Sequence, residues 1–301
     1  MQSISGLIVA TATPLGEDSH PDIGLMADHV TNLLEDGCHY VAPFGTTGEA
    51  NSFNADQRIA TLRALVDAGV DPARLFPGTG AAALQDAMNI TEAALDLGVA
   101  GVMILPPFYY PDQGAAGLAT YYRPLLARAA KADIPVLFYN IPQLSKVRIS
   151  LELMDMMRSE FGEVAHGVKD SSGDRAQTDA YLARAADFAI FPGTESLLDV
   201  SLEAGGAGCI SGPVNLSAKI SRAAYEALKG GAMPGHEAVQ AMKAIRAAIQ
   251  KYPLIPAIKY LLAKRYNNDA WHNFLPPLMP LSETDRAKLD ADLAATGVWV
   301  G

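Results

Sequence analysis

The segment VAHGVKD, residues 164–170, decides the fold, because a mostly apolar run ends there in charged residues. Apolar residues on both faces are typical of a parallel strand that is covered on two sides. Seven further runs of this kind lie along the chain, and amphipathic helical patterns separate them. We therefore predict eight strands, at Gly6–Thr13, His39–Phe44, Arg74–Gly78, Val99–Leu105, Pro135–Tyr139, Val164–Val168, Phe188–Phe191 and Ala207–Ser211.

The spacing of these strands favours one of two parallel folds. Residues near their carboxyl ends follow one another at intervals of 32, 33, 28, 33, 30, 24 and 18. A strand–helix–strand unit takes about 30 residues, so eight strands predict an α/β fold of the TIM (β/α)8 barrel type. A doubly wound open sheet is the alternative. It usually carries Gly-x-Gly-x-x-Gly after its first strand, where this chain has Thr11-Ala12-Thr13-Pro14.

The alternation of strands and helices stops after Gly230-Gly231. Near the end of the chain, Ser282 and Asp285 form a pattern close to a capping box, which predicts that a helix starts at this point. We expect a catalytic barrel over residues 1–230 and a C-terminal three-helix extension over residues 231–301. The helical patterns of the extension lie at His236–Lys251, Ile255–Tyr266 and Thr284–Ala295.

Composition excludes several classes of protein. Half of the 301 residues are apolar and 19% are charged, which is enough for a large core. The formal net charge of −10 argues against binding to nucleic acid or to an anionic membrane surface. Cys38 and Cys209 are the two cysteines, so neither a disulfide framework nor a structural zinc site is expected. Because no secretory signal or membrane span is evident, we expect a cytoplasmic protein.

Lys169 is the strongest candidate for a reactive side chain. In a barrel, catalytic groups lie at the carboxyl ends of the strands, and Lys169 follows an apolar strand there. Burial favours a neutral amine, and a neutral amine is the nucleophile that forms a Schiff base with a ketone. The alternative is a structural ion pair between Lys169 and a carboxylate such as Asp170 or Glu49.

Two further strand ends carry polar groups. Tyr139 precedes Lys169 by 30 residues, one strand–helix unit, so we expect it on the adjacent strand at the same level. Its phenol could transfer the protons that imine formation requires, or it could simply fill the barrel mouth. The loop Gly45-Thr46-Thr47-Gly48 offers hydroxyl and N–H groups that suit a carboxylate or phosphate, although it could be an ordinary turn.

A metal is not expected. The six histidines are scattered and show no ligand spacing, and we interpret His166 as a core or supporting residue. Cys209, in the last predicted strand, is expected to be a small core residue.

Four strand ends together carry a specific pattern, in order and in spacing. The chain resembles the dihydrodipicolinate synthase / N-acetylneuraminate lyase family of pyruvate-dependent class I aldolases, over essentially its whole length. The matching segments are GTTGE at 45–49, PFYYP at 107–111, YNIP at 139–142 and GVKDSSGD at 167–174.

The resemblance implies a role for each matching catalytic residue. Lys169 would form the Schiff base with pyruvate or another 2-oxo acid, and Tyr139 would be the general acid/base. Thr46 would belong to a proton relay that Tyr109, reaching across a subunit interface, completes. The family needs no metal and no cofactor besides the covalent imine on Lys169, and it is usually a homotetramer built as a dimer of dimers.

The resemblance also implies a binding site. Thr47 and the backbone N–H groups of its loop, including that of Gly48, would hold the carboxylate of the 2-oxo acid. Gly193 and Ile210 match positions that line the pyruvate pocket. Glu195 and Ser171 could bind hydroxyl groups of a longer substrate.

Departures from the family pattern bear on the substrate. Dihydrodipicolinate synthases usually carry an Arg that binds aspartate semialdehyde, where this chain has Leu144. Leu cannot make the bidentate contact of Arg with a carboxylate. The sialate lyase branch usually has an acidic pair where Glu195-Ser196 stands, and a serine in place of Gly212. A nine-carbon sugar is therefore disfavoured, and a shorter 2-keto-3-deoxy sugar acid or another hydroxylated 2-oxo acid fits better.

Four functions remain as hypotheses. The first is reversible aldol cleavage of such an acid to pyruvate and an aldehyde. The second is 4-hydroxy-tetrahydrodipicolinate synthase, and the third is a 2-keto-3-deoxy acid dehydratase that uses the same imine. The fourth is a non-catalytic sugar-acid binding protein, which would have no need of an imine-forming amine.

Overall fold

The computed structural model describes residues 4–298, in which parallel strands alternate with helices. The strands are β1 (Gly6–Ala10), β2 (Tyr40–Ala42), β3 (Val102–Ile104), β4 (Val136–Asn140), β5 (Ala165–Asp170), β6 (Ala189–Pro192) and β7 (Gly208–Ser211). The helices are α1 (Ile23–Glu35), α2 (Ala55–Asp67), α3 (Leu84–Asp96), α4 (Gly114–Ala132), α5 (Pro142–Ser145), α6 (Leu151–Phe161), α7 (Arg175–Leu182), α8 (Leu198–Glu203), α9 (Val214–Lys229), α10 (Glu237–Ile249), α11 (Leu254–Tyr266) and α12 (Glu283–Ala295).

The strands form two parallel groups, in the orders β2-β1-β7 and β3-β4-β5-β6. Backbone hydrogen bonds join the groups at both seams. Between β6 and β7, the Ala207 N–H donates to the Ile190 carbonyl at 3.0 Å. Between β2 and β3, the Phe76 N–H donates to Val41 at 2.8 Å, and Met103 donates to Pro77 at 2.9 Å. The ring of strands is thereby closed, as the predicted TIM barrel requires.

The third predicted strand, Arg74–Gly78, is wrong as a regular strand. It is reduced to single bridges, from Leu75 to Val41 and from Gly78 to Met103. Pro77 has no N–H to donate, so a continuous ladder cannot form there. The segment nevertheless lies between β2 and β3, and with it the barrel has eight members.

Several predicted strands end elsewhere than expected. The first stops at Ala10 rather than Thr13, because the Ala12 N–H donates to the Asn215 side chain at 3.1 Å instead of to a neighbouring strand. β5 extends to Asp170, so Lys169 lies within the strand and not after it.

Apolar side chains pack in two layers, one inside the ring of strands and one between the strands and the helices. Alternate residues such as Ile8, Leu137 and Phe191 pack together inside the barrel. Their neighbours, such as Val9 and Phe138, pack outward against the helices. The period of two along a strand therefore decides which side chains face the barrel interior.

The three predicted C-terminal helices are present as α10, α11 and α12. They share a core that includes Ile245, Ile258, Trp271 and Leu289. The start of α12 is as predicted, since the Ser282 hydroxyl accepts the Asp285 N–H at 3.1 Å. No helix within residues 4–298 has the length and hydropathy that crossing a bilayer requires.

Candidate active site

Lys169 and Tyr139 are paired residues of adjacent strands. β4 and β5 run parallel with Tyr139 opposite Lys169. This confirms the prediction that the spacing of 30 residues places them at one level. Tyr139 belongs to the interior layer, and Val168 belongs to the outer one, so Lys169 also points into the barrel.

The Lys169 amine is buried, and the described part of the chain offers it no counter-ion. Lys169 is only 3% exposed, and its Nζ is 4.3 Å from the centroid of the Tyr139 ring. No carboxylate of residues 4–298 lies within ion-pair distance of Nζ. A ring face attracts a cation weakly and leaves the nitrogen accessible to a ketone.

Asp170, the first alternative partner for Lys169, is fully engaged elsewhere. One carboxylate oxygen accepts the Asn140 amide at 2.8 Å and the Ser172 N–H at 3.0 Å. The other accepts the Thr178 hydroxyl at 2.6 Å. These bonds tie the ends of β4 and β5 to α7, so Asp170 stabilises the strand ends and does not neutralise the lysine.

Glu49, the second alternative partner, pairs with Lys259 of α11. The two side chains are wholly buried, and Nζ lies 2.6 Å from Oε1. The Lys259 amine also donates to the Asn273 carbonyl at 2.5 Å and lies 4.5 Å from the centroid of the Phe274 ring. The ion-pair alternative for Lys169 is therefore contradicted at both named carboxylates.

The Tyr139 hydroxyl is hydrogen-bonded to the Thr46 hydroxyl, with the two oxygens 3.0 Å apart. This bond joins the end of β4 to the loop after β2. Because either oxygen can donate, a proton can pass along the pair in either direction. The two side chains that the sequence placed in a relay are thus in direct contact.

The loop after β2 is shaped to present N–H groups. Phe44 and Glu49, on either side of it, both have left-handed backbone conformations, with φ of 57° and 58°. The Gly48 and Glu49 N–H groups donate back to the Gly45 and Thr46 carbonyls, both at 3.1 Å. Those of Thr46 and Thr47 have no acceptor within residues 4–298, so they are the donors available to a carboxylate.

Gly48 has a structural reason to be glycine. A Cβ there would lie 2.8 Å from the Thr11 carbonyl oxygen and 2.9 Å from the Phe44 nitrogen. Its N–H is used inside the loop, so the predicted contact of Gly48 with a carboxylate is less well supported than that of Thr47.

A cavity of about 860 Å³ opens above these side chains. Its walls come from the strand ends and from α10 and α11 of the C-terminal extension. Among the predicted site residues, the cavity is lined by Thr46, Thr47, Tyr139, Lys169, Ser171, Gly193 and Ile210.

Gly193 leaves room for Ser171. A Cβ at Gly193 would collide with the Ser171 hydroxyl oxygen. The Gly193 N–H donates to the Asp170 carbonyl at 2.6 Å, which holds the end of β6 close to β5. Ser171, two residues after Lys169, therefore has room to line the cavity.

Glu195 lies beneath the cavity wall and has no exposed surface. Its carboxylate accepts a hydrogen bond from the Ser211 hydroxyl, and Oε2 lies 3.4 Å from Nη1 of Arg246. Arg246, on α10, lines the cavity in its place. Sequence reasoning missed Arg246, because nothing in a helical pattern 77 residues after Lys169 indicates that it reaches the barrel mouth.

Tyr109 does not line the cavity of its own chain. It is 76% exposed and packs edge-on against Tyr110, itself exposed, with the ring centroids 5.1 Å apart. Two adjacent exposed aromatic rings are typical of a surface that a partner covers. Its predicted place in the relay of a neighbouring subunit stays a prediction.

The remaining candidates lie away from the cavity. His166, at the start of β5, accepts the Ile4 N–H at 3.3 Å, at the end of the barrel opposite Lys169. Cys209 is buried, and burial raises the pKa of its thiol well above the usual range, so the reactive thiolate is disfavoured. Within residues 4–298, no three His, Cys, Asp or Glu side chains are grouped as metal ligands would be.

Comparisons with known proteins show the family to which the chain belongs. The model of the dihydrodipicolinate synthetase family matches residues 3–296. A lyase of Chloroflexus aurantiacus described as DapA-like and uncharacterised is 33% identical, over 95% of each chain.

Solved structures share the fold. A dihydrodipicolinate synthase from Agrobacterium tumefaciens is 30% identical and superimposes with a TM-score of 0.87, covering 97% of this chain and 99% of its own. YagE of Escherichia coli K12, a prophage protein solved in complex with pyruvate, also has a TM-score of 0.87, with 22% identity and coverage of 98% and 99%.

Proposed function

The chain belongs to the dihydrodipicolinate synthetase family, a family of lyases, and from that premise we propose a Schiff-base aldolase that acts through Lys169. The proposed reaction is reversible cleavage of a 2-keto-3-deoxy sugar acid, or a similar hydroxylated 2-oxo acid, to pyruvate and an aldehyde. One observation carries the proposal. The buried Lys169 amine has no carboxylate partner among residues 4–298 and lies against Tyr139, whose hydroxyl is bonded to Thr46.

In the synthetic direction, Nζ of Lys169 attacks the ketone carbon of pyruvate, and water leaves as the imine forms. Protonated imine withdraws electrons, so the neighbouring methyl carbon loses a proton and an enamine results. The enamine carbon then attacks the aldehyde carbon, whose oxygen takes up a proton. One water molecule hydrolyses the new imine, which releases the hydroxylated 2-oxo acid and restores the amine.

The protons of these steps would move through Tyr139 and Thr46, the two hydroxyls next to the amine. The carboxylate of the 2-oxo acid would accept hydrogen bonds from the free N–H groups of Thr46 and Thr47, and Gly193 and Ile210 would border it. Fixing the carboxylate orients the reacting carbons toward the cavity. The pyruvate complex of YagE supports a 2-oxo acid as the first substrate.

Borohydride trapping tests the proposal. Pyruvate and borohydride together should add the mass of a reduced pyruvate imine to a peptide that contains Lys169, and to no other peptide. Lys169→Ala, with its fold checked by circular dichroism, is the control and should take up no mass. An unmodified wild-type Lys169 would contradict the proposal and favour a sugar-acid binding protein.

A 4-hydroxy-tetrahydrodipicolinate synthase is the second candidate, because a synthase from Agrobacterium tumefaciens is 30% identical. It uses the same imine, but it must hold aspartate semialdehyde, and Leu144 offers no charge for that purpose. Turnover of aspartate semialdehyde faster than that of 2-keto-3-deoxy acids would favour the synthase. Release of water without pyruvate would favour the dehydratase.

The exposed pair Tyr109 and Tyr110 supports a further part of the proposal, that the enzyme is a homotetramer in which Tyr109 completes the relay of a neighbouring subunit. Two buried free thiols, Cys38 and Cys209, fit the reducing cytoplasm that we propose as its location. Sedimentation and activity across a dilution series test the assembly. A fully active monomer would contradict it.

A further inference from the structure

Four apolar side chains line the cavity above Lys169 without belonging to a core. Leu144 is 62% exposed, and Leu197, Ile255 and Leu278 are half-buried. None of the four is part of, or packed against, the apolar cores described within residues 4–298. Large apolar side chains that line a concave site and lack a core partner are typical of a surface that binds a ligand. We call these four side chains the aliphatic wall.

The aliphatic wall comes from four separate segments. Leu144 belongs to α5, after β4, and Leu197 directly precedes α8, after β6. Ile255 lies in the first turn of α11, and Leu278 lies in the loop before α12. Because the four positions lie on different segments, the packing of no single element accounts for their apolar character. What they share is the cavity.

Polar side chains of the cavity are largely engaged with the protein itself. Nε2 of Gln143 donates to the Ser171 carbonyl at 2.6 Å, and the Thr194 hydroxyl accepts the Ser196 N–H at 3.3 Å. A substrate tail with several hydroxyl groups would have to break such bonds or leave its own groups unpaired, and either is costly. An apolar tail has no such requirement.

The charge of Arg246, which also lines the cavity, is balanced from beneath. Its Nη1 lies 3.4 Å from Oε2 of Glu195, a carboxylate with no exposed surface, and 3.2 Å from the Ser211 hydroxyl. Arg246 and Glu195 together add no net charge to this part of the site, so the far end of the substrate needs none. Glu195 was expected to bind hydroxyl groups of a longer substrate, but it has no surface to offer them.

The lining favours a flexible aliphatic chain over a flat ring. Three Leu and one Ile make up the aliphatic wall. Among the described residues that line the cavity, Tyr139 supplies the only aromatic ring, and that ring lies 4.3 Å from Nζ of Lys169. An aryl group on the substrate would therefore find no free ring to stack on.

We propose that the aliphatic wall binds an unsubstituted alkyl tail. The aldehyde partner is then an alkyl aldehyde, and the adduct is a 4-hydroxy-2-oxo acid with an alkyl chain beyond C4. This inference rests on the proposed function, because it names the substrate class of the same site. Contact between the tail and the wall removes apolar surface of both from water, which favours binding.

The proposed reaction is balanced without a further reactant. The enamine carbon derived from pyruvate forms the new bond to the aldehyde carbon, and the aldehyde oxygen takes up a proton and becomes the single hydroxyl group of the adduct. The water that leaves when the imine forms is regained when the imine is hydrolysed. Cleavage of the adduct runs through the same steps in reverse.

The test compares the cleavage of acids that differ only in the tail. 4-Hydroxy-2-oxohexanoate and 4-hydroxy-2-oxoheptanoate are each paired with the fully hydroxylated 2-oxo-3-deoxy acid of equal length, and 4-hydroxy-2-oxo-4-phenylbutanoate represents the aryl class. Each stereoisomer is assayed separately for pyruvate release, and the fastest one represents its compound.

We expect kcat/KM of each alkyl acid to exceed that of its hydroxylated partner by at least about tenfold, because an apolar wall discriminates against hydroxyl groups that it leaves unpaired. Along the alkyl series, from 4-hydroxy-2-oxopentanoate to 4-hydroxy-2-oxooctanoate, each added methylene should raise kcat/KM by about threefold.

Leu144→Asn/Ile255→Thr makes the aliphatic wall polar with little change in volume. It should lower kcat/KM for 4-hydroxy-2-oxooctanoate by about tenfold and leave that for 4-hydroxy-2-oxopentanoate, whose tail is one methyl group, within about twofold. Met279→Gln is the matched control. Met279 follows Leu278 and is 72% exposed, but it does not line the cavity, so both values should stay unchanged.

The outcomes separate the two proposals. If pyruvate and borohydride do not label Lys169, the proposed function fails. If Lys169 is labelled but no alkyl acid is cleaved faster than the hydroxylated and aryl acids, the alkyl tail is wrong and the aldolase stands. The same conclusion follows if the preference for long alkyl tails survives in Leu144→Asn/Ile255→Thr.

Discussion

Two lysines are buried among residues 4–298, at the end of β5 and in α11, and their surroundings differ in the partners of the amine. Each amine lies against an aromatic ring, Lys169 at 4.3 Å from Tyr139 and Lys259 at 4.5 Å from Phe274. Lys259 has a carboxylate at 2.6 Å, whereas Lys169 has none within ion-pair distance in the part of the chain that the structure describes. Burial lowers the pKa of Lys259, and the Glu49 carboxylate opposes that shift. A buried amine with a counter-ion holds structure together, and one without is available for chemistry.

Replacing Lys169 gives the largest expected effect. Lys169→Met should reduce turnover by more than about 10⁴-fold, because the nucleophile of the proposed reaction is lost. The free energy of unfolding should stay equal or rise, since an unpaired buried amine is replaced by an apolar chain of similar length. Steady-state kinetics and urea unfolding measure both. Marked destabilisation would mean that Lys169 is a structural residue like Lys259.

Removing the Tyr139 hydroxyl is next in size. Tyr139→Phe keeps the ring against the amine and deletes the proton donor bonded to Thr46, so turnover should fall by about 10² to 10⁴-fold. Borohydride trapping of pyruvate, given long incubation, should still label Lys169. Thr46→Val provides the matched change on the other oxygen of the bond. Full activity of Tyr139→Phe would remove this phenol from the mechanism.

The opposite result is expected at the paired lysine. Lys259→Met leaves the Glu49 carboxylate buried without a cation, which should lower the free energy of unfolding by about 3–5 kcal/mol. Protein that stays folded should still form the imine at Lys169. Glu49→Gln/Lys259→Met removes both charges and should recover much of the stability. If the single and double variants are equally unstable, the buried charge of Glu49 is not the cause of the destabilisation.

A third buried base gives the smallest expected effect. Burial lowers the pKa of His29 to about 4, and its neutral ring is bonded to Tyr266 at 2.7 Å and to Asn215 at 2.9 Å. Because the pKa is lower in the folded state, His29 stabilises the fold at pH values above about 6.5, and this contribution is lost as the pH falls toward 4.

Acidification lowers the free energy of unfolding, and we expect this decrease to be about 2–3 kcal/mol smaller in His29→Gln than in the wild type. Urea unfolding at pH 7.5 and pH 4.5 measures the difference between the wild type and the variant. Equal losses in both proteins would show that other groups account for the acid sensitivity.

The strand positions were predictable because a strand that is buried on both faces needs a continuous run of apolar residues. The third predicted strand was wrong in part, since Pro77 is compatible with an extended chain but has no N–H to donate to a neighbouring strand. The pairing of Tyr139 with Lys169 followed from one repeat length. These are local or periodic signals, and a single sequence carries them.

Long-range pairs left no such signal. Lys259 is 210 residues from Glu49, and the sequence alone allowed Glu49 to face Lys169 instead. Arg246 occupies a position in a helical pattern that any long polar residue could fill. Glu195 was expected to face substrate, but the hydrogen bond from Ser211 holds it beneath the wall. For Lys259 and Arg246, the docking of α11 and α10 on the barrel decides the contact, and the periodicity of a helical pattern carries no information about that docking.

The origin of the cavity walls has a consequence for how such enzymes diversify. The proposed nucleophile Lys169 and the proposed proton donor Tyr139 lie on strands of the barrel itself. Part of the cavity wall, by contrast, is supplied by α10 and α11, which follow the last strand. Mutations in that appendage can therefore change which molecules are accepted without disturbing the bond-making apparatus, so that new specificities can arise on an unchanged reaction.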